Sequence, residues 1–153
     1  MNNKVEIGSV SSGTMRDQDL IPTFVDHLLW LDSDNGLSKS IQEKLDDENF
    51  DAVNYYSTEE CTWDLDELFE ELDKFSLPFT YFGANEGDGS DYGFWVYWDW
   101  VNDDEDEDAF HVNDLGDVLD DYSGLVMLHT STYKASLYKM DDNNNLIEIW
   151  SVE

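Results

Sequence analysis

The residues able to do chemistry in this 153-residue chain are 37 carboxylates, three histidines and one cysteine. Carboxylates act as general acids and bases in pairs, as ligands for hard cations, or as fixed negative charge. Their spacing selects the third use. Asp64, Asp66, Glu67, Glu70, Glu71 and Asp73 surround an apolar stripe at helical spacing. Asp99 precedes an uninterrupted run of Asp103, Asp104, Glu105, Asp106, Glu107 and Asp108. Asp114, Asp117, Asp120 and Asp121 continue it.

The other chemistries fit the pattern poorly. Asp141, Asn143 and Asn145 alternate like the first ligands of an EF-hand. That loop needs glycine at its sixth position and a carboxylate at its twelfth, where this chain has Leu146 and Val152. The segment from Glu86 to Asp91 offers carboxylates and carbonyls to a cation, but acidic turns are commonly only turns. Cys61 stands beside Glu59 and Glu60, which oppose thiolate formation, and no nucleophile motif surrounds it. It reads as a buried thiol rather than a partner for His111 or His129. His27 reads as a packing residue, and the three histidines have no zinc-like spacing. A nuclease would lack the cationic surface to hold its substrate, and no carboxylate pair is defined well enough for a glycosidase. No metal, no cofactor and no catalytic residue is expected.

Charge excludes more. Seven basic residues against 37 acidic ones leave a formal net charge of −30. Direct nucleic-acid binding needs a basic footprint that one Arg and six Lys cannot form. Anionic lipid would repel the chain, and no apolar run reaches the length of a membrane span. The N-terminus shows no basic-then-apolar leader, and a single cysteine suits a reducing cytoplasm. Aromatic residues at 14%, including six Trp, argue for a folded domain rather than an acidic disordered tail.

The acid is unevenly placed. Between Lys74 and Lys134 lies no basic residue at all. Like charges at i, i+3 and i+4 cost a helix a few tenths of a kcal/mol per pair, so folding alone would favour interspersed lysine. A surface of about 8,000 Å² for this mass gives one carboxylate per roughly 215 Å². B-DNA carries one phosphate per roughly 110 Å², a density the chain reaches by concentrating its acid on one face. Salt adaptation or a merely solvated face is the competing explanation. The 24 Asp and few Lys fit it, whereas the aromatic content and uneven charge fit it less.

In composition, especially over residues 43–121, the chain resembles the acidic DNA-mimic inhibitors of phages and plasmids, of the anti-CRISPR and antirestriction type. The resemblance implies a non-enzymatic protein that occupies the nucleic-acid channel of a defence complex in the bacterial cytoplasm. Its partner would be a basic nucleic-acid-binding protein or ribonucleoprotein. It implies no particular fold. An acidic binding or immunity protein for a basic partner that does not bind DNA is the alternative. Aromatic anchors would add specificity to charge, and Trp95 and Tyr97 beside Asp99 are the candidates. A homodimer would lengthen the acidic path.

The elements that must position these residues follow from periodicity. Val5 to Val10 reads as a strand. Thr14 and Asp17 resemble a capping box for a helix that places Pro22 in its first turn, starts near Asp19 and ends at Asn35-Gly36. A second helix spans Ser38 to Asp46, and Ala52 to Tyr56 reads as a strand. Leu65, Leu68, Phe69, Leu72 and Phe75 line a helix from Asp64 to Phe75. A strand near Phe79 to Phe82 leads through a glycine-rich loop, GANEGDGSDYG, to a strand from Phe94 to Val101. Asn113 would cap a helix burying Leu115, Val118, Leu119 and Tyr122. Strands at Leu125 to His129, Tyr133 to Met140 and Leu146 to Val152 close the chain, the last two joined by DDNNN. The expected architecture is one α+β domain with a mainly antiparallel sheet, acidic amphipathic helices and a C-terminal hairpin.

Overall fold

A computed structural model describes residues 5–119 and 122–153. The chain divides into two compact units, one holding Met1–Ser76 with Thr80–Trp95, the other Leu77–Phe79 with Val96–Glu153. The class is α+β.

The first unit packs helices against a three-stranded sheet. Helix α1 (Asp17–Leu31) turns Leu20, Ile21, Phe24, Val25 and Leu28 inward. It starts before Asp19, so Pro22 lies beyond its first turn. The missing proline donor is followed by Thr23, whose hydroxyl donates to the Asp19 carbonyl at 2.9 Å. Thr14 forms no capping box. Its hydroxyl instead donates to Asp19 at 2.6 Å. Nor does Asn35 end α1, which stops at Leu31. It caps α2 (Gly36–Asp46), accepting from the Ser38 amide at 2.9 Å. Ala52–Tyr55 is a helical turn, α3, rather than a strand, because Asp51 caps it and Tyr55 turns in as an anchor. Helix α4 (Glu59–Asp73) starts more than a turn before Asp64, which brings Cys61 onto the buried stripe with Leu68 and Leu72.

Strands β1 (Gly8–Ser11), β2 (Thr80–Asn85) and β3 (Asp88–Val96) form the sheet in the order β1-β3-β2. Most of the expected glycine-rich loop is therefore strand, with Glu86-Gly87 as its only turn. One glycine serves a close approach. A Cβ on Gly93 would stand 2.0 Å from the Gly8 carbonyl oxygen, so β1 can pair with β3 only where that side chain is missing. The core centres on Phe24, whose ring meets Phe69 at 5.2 Å, Phe82 at 5.3 Å and Tyr92 at 6.0 Å, all near edge-on.

In the second unit, β4 (Ala109–Val112), β5 (Leu125–Ser131), β6 (Lys134–Met140) and β7 (Leu146–Val152) hydrogen-bond in that order. The β5–β6–β7 part is antiparallel, whereas β4 runs parallel to β5 with Ala109 opposite Leu125. Val126, Met127, Ala135, Leu137 and Trp150 are buried, and the Trp150 indole donates to the Pro78 carbonyl at 2.8 Å. The DDNNN turn is closed by Asp141, which accepts from the Asn143 and Asn145 amides, with Asn144 left-handed at φ 62°.

Two expectations fail here. The strand from Phe94 ends at Val96, and Trp98–Val101 forms a helical turn, α5. Trp98 and Trp100 consequently leave the alternating face shared with Phe94. The helix after Asn113 shrinks to a 3-10 turn, Leu115–Asp117, capped by Asp114. Leu119 is 61% exposed rather than buried. Asp and Gly within that stretch favour turns over helix. Among the described residues no helix is long and apolar enough to cross a membrane.

Candidate functional site

On α4 the six carboxylates of the expected contact face separate into two groups. Asp66, Glu67 and Glu70 are exposed. Trp63, which sequence reasoning passed over, is 62% exposed one turn before Asp66 and Glu67. The other three bond to groups of the fold, Asp73 from an exposed position. Asp64, with its side chain only 15% exposed, accepts from Lys44 Nζ at 2.7 Å and from the Tyr55 hydroxyl at 2.6 Å. Glu71 accepts from Asn35 Nδ2 at 3.1 Å and Lys74 Nζ at 2.9 Å, and the lysine holds its carboxyl below the usual range. Asp73 accepts from the Phe82 amide and the Ser76 hydroxyl. Burial alone would lower the Lys44 pKa, but its bonds to Asp64 and Glu60 raise it.

The cations among the described residues of this unit are already used. Arg16 pairs with Asp19, Lys39 with Asp34, Lys44 with Glu60 and Asp64, and Lys74 with Glu71. None of these described cations is paired with Asp66 or Glu67. Cys61 is fully buried, and its thiol is pushed up to about 12, first by burial and then by its hydrogen bond to Asp17. The sequence expectation blamed Glu59 and Glu60. The partner is Asp17 because α4 packs on α1.

In the second unit Asp99, Asp104, Glu105, Glu107, Asp108 and Asp117 are exposed. Asp103 is exposed too, with its carboxylate closing a turn on the Glu105 amide, and Asp114 does the same for Gly116. Asp120 and Asp121 lie outside the described residues. Asp106 departs from the expectation of an outward-facing acid. Its side chain is 3% exposed and accepts from His111 Nε2 at 2.7 Å, the Trp100 indole at 3.1 Å and the Asp108 amide at 3.3 Å. Burial opposes ionisation, but these donors outweigh it and hold the carboxyl below its ordinary range. Of the two expected aromatic anchors, Trp95 is half-buried, with its indole donating to the Gly83 carbonyl at 3.0 Å. Tyr97 is 45% exposed.

Sequence spacing also concealed a histidine pair. His111 on β4 lies opposite Met127, and His129 is two residues further along β5, so both imidazoles share one face. His111 Nδ1 is 2.7 Å from His129 Nε2, and the rings stack at 5.0 Å between centroids. His111 and His129 border a cleft of about 490 Å³, completed by Val101 to Asp104, Val112, Asn113 and Thr130 to Thr132. Among the described residues no three His, Cys, Asp or Glu side chains converge to hold a metal ion. The signal missed in the sequence was Ala109 to Val112, a short β-prone run concealed behind the acidic stretch.

Half-buried His129 carries a pH dependence. Burial, then the charge of His111, lowers the His129 pKa below its usual 6.5. Below that value the unfolded chain binds the proton more readily than the fold does, so stability falls as pH falls through this range. Thermal unfolding followed between about pH 7.5 and about pH 5.5 should show this decline, and His129→Gln should flatten it. His27, lowered by burial in the first unit, contributes in the same direction, so His27→Gln alone should remove only part. An unchanged slope in both variants would assign the decline elsewhere.

Comparison with known families, curated proteins and solved structures returns no match. The geometry alone carries the functional reading.

Proposed function

We propose that this protein is a nucleic-acid mimic that binds the DNA- or RNA-binding surface of a bacterial defence protein and blocks it competitively. The observation that carries this reading is the outer face of α4. Asp66, Glu67 and Glu70 stand there exposed while the neighbouring cations are committed to other carboxylates. Asp66 and Glu70 rise about 6 Å apart along the helix axis at 1.5 Å per residue. Successive phosphates of one B-DNA strand, at 3.4 Å rise and roughly 10 Å radius, lie about 7 Å apart. A lysine or arginine placed to hold phosphates therefore meets carboxylates at similar intervals, and arginine grips either group through two parallel bonds. Asp99, Asp104, Glu105, Glu107 and Asp108 provide a second exposed acidic surface.

In this reading the protein is non-catalytic, works in the bacterial cytoplasm and needs no cofactor. CRISPR effectors and restriction complexes are the leading targets. The test is capture of bound proteins from nuclease-treated bacterial lysate, eluted along a salt gradient. One nucleic-acid-binding complex should dominate, outlast the salt that removes histone-like proteins, and be displaced by its own DNA or guide RNA. A retained partner that nucleic acid fails to displace would replace mimicry with plain acidic recognition of a basic protein. A mixture of basic proteins leaving together at modest salt would reduce the surface to a solubility or salt adaptation.

A further inference from the structure

We propose that the contact between His111 and His129 is a proton-operated latch. It holds β4 and the acidic connection before it, residues 102–108, against β5 and releases both on mild acidification. Strand β4 has four residues, lies at one end of the sheet order and pairs with β5 alone among the described strands. The connection is fastened to β4 rather than to β5, because buried Asp106 bonds His111 Nε2 at 2.7 Å. The side-chain link from this piece to β5 is the 2.7 Å contact of His111 Nδ1 with His129 Nε2.

A hydrogen bond between two imidazole nitrogens holds one proton, and whichever ring donates, the facing nitrogen must be bare. The pair accommodates one extra proton by carrying it on an outer nitrogen. When both rings are fully protonated, two N–H groups face each other, the bond is lost and adjacent positive charges repel. Asp106 stays ionised through its donors, so His111 remains tied to the connection as it gains charge. The connection and β4 therefore leave β5 as one piece. The uncharged bond from the Asn102 amide to the Thr132 carbonyl, at 2.7 Å, keeps the start of the connection in place.

The surrounding groups fix the sign. Asp103 and Asp104 line the same cleft as both rings, and exposed Asp99 belongs to α5. Strand β6 sets Ala135 opposite His129, next to exposed Lys134. Strand β7 sets Val152 opposite Ala135, before exposed Glu153. The carboxylates attract a proton whether or not the rings touch. Burial and the charge of His111 oppose a proton on His129 while the rings are in contact. The open arrangement takes up the proton more readily, and falling pH favours it.

Amide hydrogen exchange of the intact protein at about pH 7.5 and about pH 5.5, corrected for intrinsic rates, tests the latch. Protection of the β4 amides bonded to β5 should fall about five- to tenfold at the lower pH, while β6 and β7 keep theirs. In His129→Gln, whose side chain can make the bond but does not titrate, β4 protection should be nearly equal at both values. Nitrogen-15 spectra of the wild-type imidazoles give a second reading that needs no variant. Both rings should reach the fully protonated form over the interval in which β4 loses protection. Unchanged β4 protection, a fall shared equally by β6 and β7, a fall that precedes protonation of the rings, or one that survives in folded His129→Gln would each overturn the latch. None of these outcomes bears on the acidic face of α4, so the latch and the proposed function stand or fall separately.

Discussion

Replacing Asp66, Glu67 and Glu70 together by Asn, Gln and Gln is expected to lower affinity for the proposed target by about a hundredfold at low salt. Three lost pairs at roughly 1 kcal/mol each give that size, and the effect shrinks as salt screens the wild-type surface. The association rate should fall as well, since steering depends on the same field. Stability moves the other way. Asp66 with Glu70, Glu67 with Glu70, and Glu67 with Glu71 are like-charge pairs at i+3 or i+4, so neutralisation stabilises the helix by roughly 0.5–1 kcal/mol in all. Loss of the Glu70 attraction to Lys74 offsets a little of this. A target affinity that falls while the unfolding temperature rises is the signature of a surface kept acidic for binding. Unchanged affinity would take α4 out of the interface. A fall in both would mean that these carboxylates, like Asp64 and Asp73, support the fold. Those two are left untouched because their oxygens bond Lys44, Tyr55 and the Phe82 amide.

The largest stability effect is expected from Phe24→Ala. Phe24 is fully buried and its ring touches three others, from α4, β2 and β3. Removing it deletes the apolar transfer energy and leaves a cavity that three aromatic rings refill poorly, a loss of about 3–5 kcal/mol. Domain stabilities are only about 5–15 kcal/mol, so much of the first unit's stability disappears. The unfolding temperature should drop by about 15–25 °C, and the near-ultraviolet aromatic signal should weaken. Phe24→Leu keeps most of the volume and should cost far less, about 1–2 kcal/mol. A loss below about 1 kcal/mol for the alanine variant would mean that Phe24 does not hold the helices to the sheet. Target binding by Phe24→Ala should fail on heating at the unfolding transition, whereas the triple charge variant fails while folded.

The sequence by itself determined what periodicity and charge can carry. The apolar stripe of α4, the C-terminal hairpin and the α+β class were all legible, because local patterns of period 3.6 and 2 report directly on burial. So was the excess of acid, which no fold can hide at −30. Tertiary structure decided which carboxylates serve the surface and which the fold. Asp66 and Asp64 are two residues apart and chemically identical, yet only Asp64 finds a lysine and a tyrosine brought from other helices. Asp106 stands inside a run of acids and turns inward because β4 and α5 present His111 and Trp100 to it. His111 and His129, 18 residues apart, meet because β4 lies parallel to β5, a pairing that no local pattern encodes. Backbone propensity is a local quantity. A hydrogen-bond partner for a buried charge is supplied by chain segments distant in sequence, and desolvation makes finding one obligatory.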